Sequence, residues 1–88
     1  MIKEQIGEEL NINDFVLTYF LTESEIISEG ESYVMYGIEI EKKSLSKIET
    51  SVIKDVTIDK THAREIVEII KSNSVTPIHL NDVMENFL

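Results

Sequence analysis

Two runs of period-two alternation, one on each side of Glu29-Gly30, constrain the fold more than any other feature of the chain. In the first, Phe15, Leu17, Tyr19 and Leu21 fall on one face and Val16, Thr18, Phe20 and Thr22 on the other. The β-branched and aromatic content favours a strand. In the second, Tyr33 to Glu41, the residues Val34, Tyr36, Ile38 and Ile40 share a face. A turn centred on Glu29-Gly30 and flanked by Ser28 and Glu31 sets Leu21 opposite Ile38 and Tyr19 opposite Ile40. That register collects the best apolar positions of both strands on one face, and a one-residue slip sends them all to the other. The opposite face shows Thr18, Thr22, Glu39 and Glu41 together with Phe20 and Met35, and is expected to be partly wet.

Residues Lys42 to Lys47 are polar and turn the chain, after which Ile48 to Thr57, with Val52, Ile53 and Val56, reads as a third antiparallel strand. The period then changes to 3.6. Ala63, Ile66, Val67 and Ile70 form an apolar stripe widened by Ile69, between an N-cap at Asp59 and Asn73, with Lys71 placed to complement the C-terminal dipole. Thr76-Pro77 reads as an N-cap followed by proline at the first helical position, and Leu80, Val83, Met84 and Phe87 recur at helical spacing to the end. The expected fold is α+β: a three-stranded antiparallel meander packed against two C-terminal helices, one small domain over residues 15–88. Ahead of it, Ile2, Ile6 and Leu10 stand at four-residue spacing, so residues 1–14 are expected to be a short N-terminal helix or a flexible lead-in, with Gly7 weakening the helix.

Length and composition narrow the function classes. The chain's 88 residues support one modest core, sensitive to oligomerisation or to a partner. Cysteine is absent, which excludes disulfides, thiolate nucleophiles and cysteine-rich metal sites, and suits a cytoplasmic address. No apolar stretch is long enough to cross a bilayer and no signal-peptide pattern is present. The formal charge of −9 disfavours both a nucleic-acid backbone and an anionic membrane surface, and permits a basic protein partner.

Candidate chemistry is sparse. His62 and Glu65 lie three apart on the first helix, with Glu68 on the same polar side, but His79 belongs to a separate element, so surface and capping roles outweigh a metal or acid–base site. Tyr19, Tyr33, Tyr36, Phe15 and Phe20 give the hairpin an aromatic content that could stack bases, yet no Lys or Arg accompanies them, so packing is the better reading. No phosphate-cradling loop, zinc-protease motif, calcium loop or nucleophile elbow occurs. No cofactor is expected.

Charge distribution is the sharper clue. Between Lys3 and Lys42 there is no basic residue, while Glu4, Glu8, Glu9, Asp14, Glu23, Glu25, Glu29, Glu31, Glu39 and Glu41 contribute ten acidic groups. The hairpin gathers Glu23, Glu25, Glu29 and Glu31 around its distal half with Tyr33 beside them, and Glu39 and Glu41 farther down one face. A basic partner relieves their mutual repulsion and is steered to them; simple solubility is the competing explanation.

Tyr36-Gly37-Ile38 and the string Thr76-Pro77-Ile78-His79-Leu80-Asn81-Asp82-Val83 resemble those of uncharacterised small proteins from clostridial and related Gram-positive bacteria. The resemblance spans most of residues 15–88. It implies a bacterial context and assigns no activity to any residue.

The reading that follows is a small intracellular regulatory or adaptor protein that binds a partner through its acidic surface, using Glu23, Glu25, Glu29, Glu31, Tyr33, Glu39 and Glu41. An inhibitor that mimics nucleic acid, directed at a bacterial or phage defence protein, is the alternative, and it requires carboxylates that converge in space. An enzyme is a third class, and it requires a pocket into which His62 or His79 converges with acidic groups. A homodimer through a sheet edge or the N-terminal apolar residues is an assembly the small core would use.

Overall fold

A computed structural model of the chain describes residues 1–87. Its centre is a hairpin of two 14-residue strands, β3 (Phe15–Ser28) and β4 (Glu31–Ser44), flanked by β1 (Ile2–Gln5), β2 (Leu10–Ile12) and β5 (Ile48–Thr57). The antiparallel sheet runs β1-β3-β4-β5, with β2 also on β3. Two helices follow, α1 (Lys60–Ser72) and α2 (Leu80–Met84), the second preceded by a 3₁₀ turn over Pro77–His79. An α+β chain with two C-terminal helices is what the periodicities predict; the sheet has five strands and not three.

The hairpin register is the expected one. Leu21 pairs with Ile38, Tyr19 with Ile40 and Ser28 with Glu31. Glu29 and Gly30 both take positive φ, 52° and 80°, the conformation of a two-residue turn whose twist matches that of the strands. Leu17, Tyr19, Leu21, Ile38 and Ile40 are buried beneath α1, whose Ala63, Ile66, Val67 and Ile70 face them. Asp59 caps α1, its Oδ1 accepting from the His62 amide at 3.2 Å. Ile69 does not widen the stripe; it lies on the outer side of the helix, 47% exposed.

The N-terminal segment is the main correction. It forms neither a helix nor a loose lead-in: Ile2–Gln5 and Leu10–Ile12 both pair with β3, along one edge. The pairing slips by two residues between them, where Ile6 donates its amide to the Tyr19 carbonyl at 2.8 Å. The spacing misleads because residues four apart share a face in a strand as well as in a helix. Ile2, Ile6 and Leu10 duly sit in register with Glu23, Tyr19 and Leu17, and Ile6 is buried in the core.

The C-terminal segment is also less helical than its periodicity suggests. Thr76 makes no side-chain cap, the chain passes through one 3₁₀ turn, and α2 ends at Met84. Packing decides its course: Val75, Pro77, Leu80 and Met84 are buried, and the Tyr19 hydroxyl donates to the Val75 carbonyl at 2.7 Å.

Candidate functional site

The strands of the central hairpin are longer than their neighbours need. β1 ends its pairing at Glu23 and β5 ends opposite Tyr36. From Ser24 to Ser28 and from Glu31 to Met35 the two strands pair only with each other. Five residue pairs at about 3.4 Å per residue project roughly 17 Å beyond the sheet. This ribbon makes the molecule long, 48 × 25 × 22 Å.

Each sequence-predicted site residue can be placed against it. Glu25, Glu29, Glu31 and Tyr33 are exposed on the ribbon and Glu23 is half-buried at its base. Strand register divides them. Glu23 and Glu25, opposite Tyr36 and Val34, belong to the face that α1 covers farther down; Glu31 and Tyr33, opposite Ser28 and Ile26, belong to the open face. Residues 23–35 contain four carboxylates and no Lys, Arg or His. Among the described residues, none of those four carboxylates takes part in an ion pair.

Glu39 and Glu41 do not join this group. Glu39 is 4% exposed, opposite Phe20 and Val52, and accepts from Lys3 Nζ at 2.6 Å. The same ammonium lies 4.4 Å from the centre of the Phe20 ring. The hydrogen bond to Glu39 holds the Lys3 ammonium protonated above its usual range. Glu39 is thus satisfied internally, which sequence reasoning missed because Lys3 reaches it only through the unforeseen β1. Glu41 is half-buried beside Thr18 and Thr50, well away from the ribbon. Two other ion pairs form, Arg64 of α1 with Glu4 of β1 at 2.8 Å and, locally at the start of β5, Lys47 with Glu49 at 3.0 Å, each lowering the carboxyl's pKa through its hydrogen bond.

The ribbon also carries apolar side chains that the charge pattern did not single out. Ile27 is 74% exposed, Val34 is exposed, and Ile26 and Met35 are half-buried. The only signal in the sequence was the pair Ile26-Ile27 just before the turn, because the apolar alternation of the first strand breaks at Glu23 and Glu25.

His62 and His79 are exposed on separate elements, and no cluster of three metal-ligating side chains exists among the described residues. A hollow of about 490 Å³ between Asn13, Asp14, Phe15, Lys43 and Leu45, and another of about 240 Å³ between Ile2, Glu4, Tyr36 and Lys60, contain neither histidine. Among the described residues no helix is long and apolar enough to cross a membrane.

No curated protein and no solved structure matches the chain. The model of a family of unknown function, DUF6514, matches residues 1–88, and the chain therefore belongs to that family.

Proposed function

We propose that this chain is a small regulatory or adaptor protein that binds a basic protein partner through its projecting ribbon. One observation carries the reading: a two-stranded arm leaves the core, bears Glu23, Glu25, Glu29 and Glu31 without a single cation, and exposes Ile27, Tyr33 and Val34 between them. Carboxylates steer a basic partner to the arm, and the apolar and aromatic side chains supply the area that holds it. The cysteine-free composition suits an encounter in the cytoplasm.

A nucleic-acid mimic is less well supported, because the strand register sends Glu23 and Glu25 to one face and Glu31 to the other. Affinity capture from a lysate of the source cells, with wild type and the quadruple variant E23Q/E25Q/E29Q/E31Q tethered at low density, tests the reading. Loss of the specific partners with the variant is expected. An unchanged set of partners at unchanged strength overturns it.

A further inference from the structure

We propose that the β3 edge of the ribbon, Ser24–Ser28, is a strand-addition site for an extended, basic segment of the partner; this rests on the ribbon-binding reading above. Ser28 and Glu31 flank the two-residue turn and so form a hydrogen-bonded pair, and antiparallel pairing then alternates. Counting back from the turn, the pairs Ile27–Ser32 and Glu25–Val34 are the non-bonded ones. The N–H and C=O groups of Ile27 and Glu25 therefore point away from β4, to the side where β1 has already ended. The edge offers two donors and two acceptors on an otherwise finished ladder, the arrangement that accepts an added strand.

Charge selects which edge and which occupant. On the β4 edge the outward-facing residues are Ser32 and Val34; on the β3 edge Glu25 continues a line begun by Glu23. An incoming strand with Lys or Arg at alternate positions sets one of them opposite Glu25 and diagonal to Glu23, and the β-branched residue next to it falls beside Ile26.

A second copy of the chain is the wrong occupant. Pairing two β3 edges about a two-fold axis allows only registers that keep each face matched. Centred on Glu25, the axis puts Glu25 opposite Glu25 of the other copy. Centred on Ile26 it drives the Glu29 turn of each copy toward the place that Ile2 already fills beside Glu23, and centred on Ile27 it brings that turn, with Glu29, up to Glu25. Each brings carboxylates of the two copies together, and like charges disfavour a strand pair.

The test uses the full chain and the peptide Lys-Val-Lys-Thr-Lys-Val-Lys. Two isomers of it each carry three backbone N-methyl groups, either on the three lysines after the first or on the three residues between the lysines. Their charge and composition are the same, but only one isomer has lost the amides that face the edge. Strand addition predicts that the unmodified peptide binds and perturbs the Glu25 and Ile27 amide signals. It predicts that one isomer binds like the parent and the other more weakly by roughly tenfold or more, the effect of losing edge hydrogen bonds. Equal affinities for both isomers overturn strand addition and leave the acidic-arm reading standing. A parent peptide that binds wild type no better than it binds E23Q/E25Q/E29Q/E31Q overturns both.

Discussion

Tyr19 shows how much one side chain connects. It lies in the middle of β3, is fully buried, and its hydroxyl reaches across the core to the Val75 carbonyl, 56 residues away in sequence. Burial pushes the phenol up to about 12. In the unfolded chain the same group ionises near ~10, so between those values the unfolded state holds fewer protons and stability falls as pH rises. Lys3 acts in the same direction, since the contribution of its pairing with Glu39 is full below the ordinary lysine pKa and is lost as pH rises through the raised one. Tyr19→Phe leaves a buried carbonyl without its donor and is expected to cost about 1–2 kcal/mol at pH 7. Because it also removes the ionisable group, the deficit should narrow above pH ~10. Urea titrations at neutral and alkaline pH check this, and a deficit that stays constant would mean an ordinary phenol. The sequence marks Tyr19 as core by its alternation with Leu17 and Leu21. It cannot mark Val75 as the acceptor, because that contact depends on where the chain turns after α1.

At the scale of elements, local alternation and turn chemistry were legible and long-range pairing was not. The β3–β4 register, the β5 span and the α1 cap all follow from residues close in sequence. β1 and β2 escaped because they are short edge strands, defined by the β3 groups they bond more than by their own pattern. At the ribbon, alternation identified the strands and composition identified the carboxylates. That Glu39 is buried and paired with Lys3 while Glu25 stays exposed depended on β1, and so lay outside what residues 15–41 disclose. Gly37 is a second pairing effect. Between Tyr36 and Ile38 the register with β5 shifts, and a Cβ on Gly37 would meet the Ile53 carbonyl oxygen and the Thr22 hydroxyl. Gly37→Ala should therefore destabilise the fold by about 1–3 kcal/mol, read as a lower urea midpoint. The ribbon should behave oppositely. None of the core residues lies in it, and an isolated two-stranded hairpin contributes little stability. Ser24 and Met35 form the same class of pair as Ser28 and Glu31, so replacing residues 25–34 by Asn-Gly closes a two-residue turn on them. The shortened chain should keep its circular dichroism spectrum and lie within about 1 kcal/mol of wild type, while losing partner binding. Global unfolding on shortening would make the arm part of the core.

The whole molecule couples an elongated shape to an uneven charge. All cations but Lys3 follow Glu41, and the arm that projects farthest holds only carboxylates. An arm with two open backbone edges invites pairing with other copies, and like charges along such an edge oppose it. The carboxylates would then serve twice, admitting a basic strand and rejecting a second copy. This makes self-association a measurable consequence of removing them. The variant E23Q/E25Q/E29Q/E31Q should associate at concentrations where wild type sediments as a monomer. Wild type itself should associate more as salt rises, because the Debye length shrinks from about 10 Å at 0.1 M to about 3 Å at 1 M. The added change Ile27→Pro separates edge pairing from general stickiness. The Ile27 amide points away from β4, so proline there removes an edge donor without breaking a hairpin hydrogen bond. In the quadruple background Ile27→Pro should restore the monomer. If association persists undiminished, the copies meet elsewhere, and the carboxylates guard a surface other than the β3 edge.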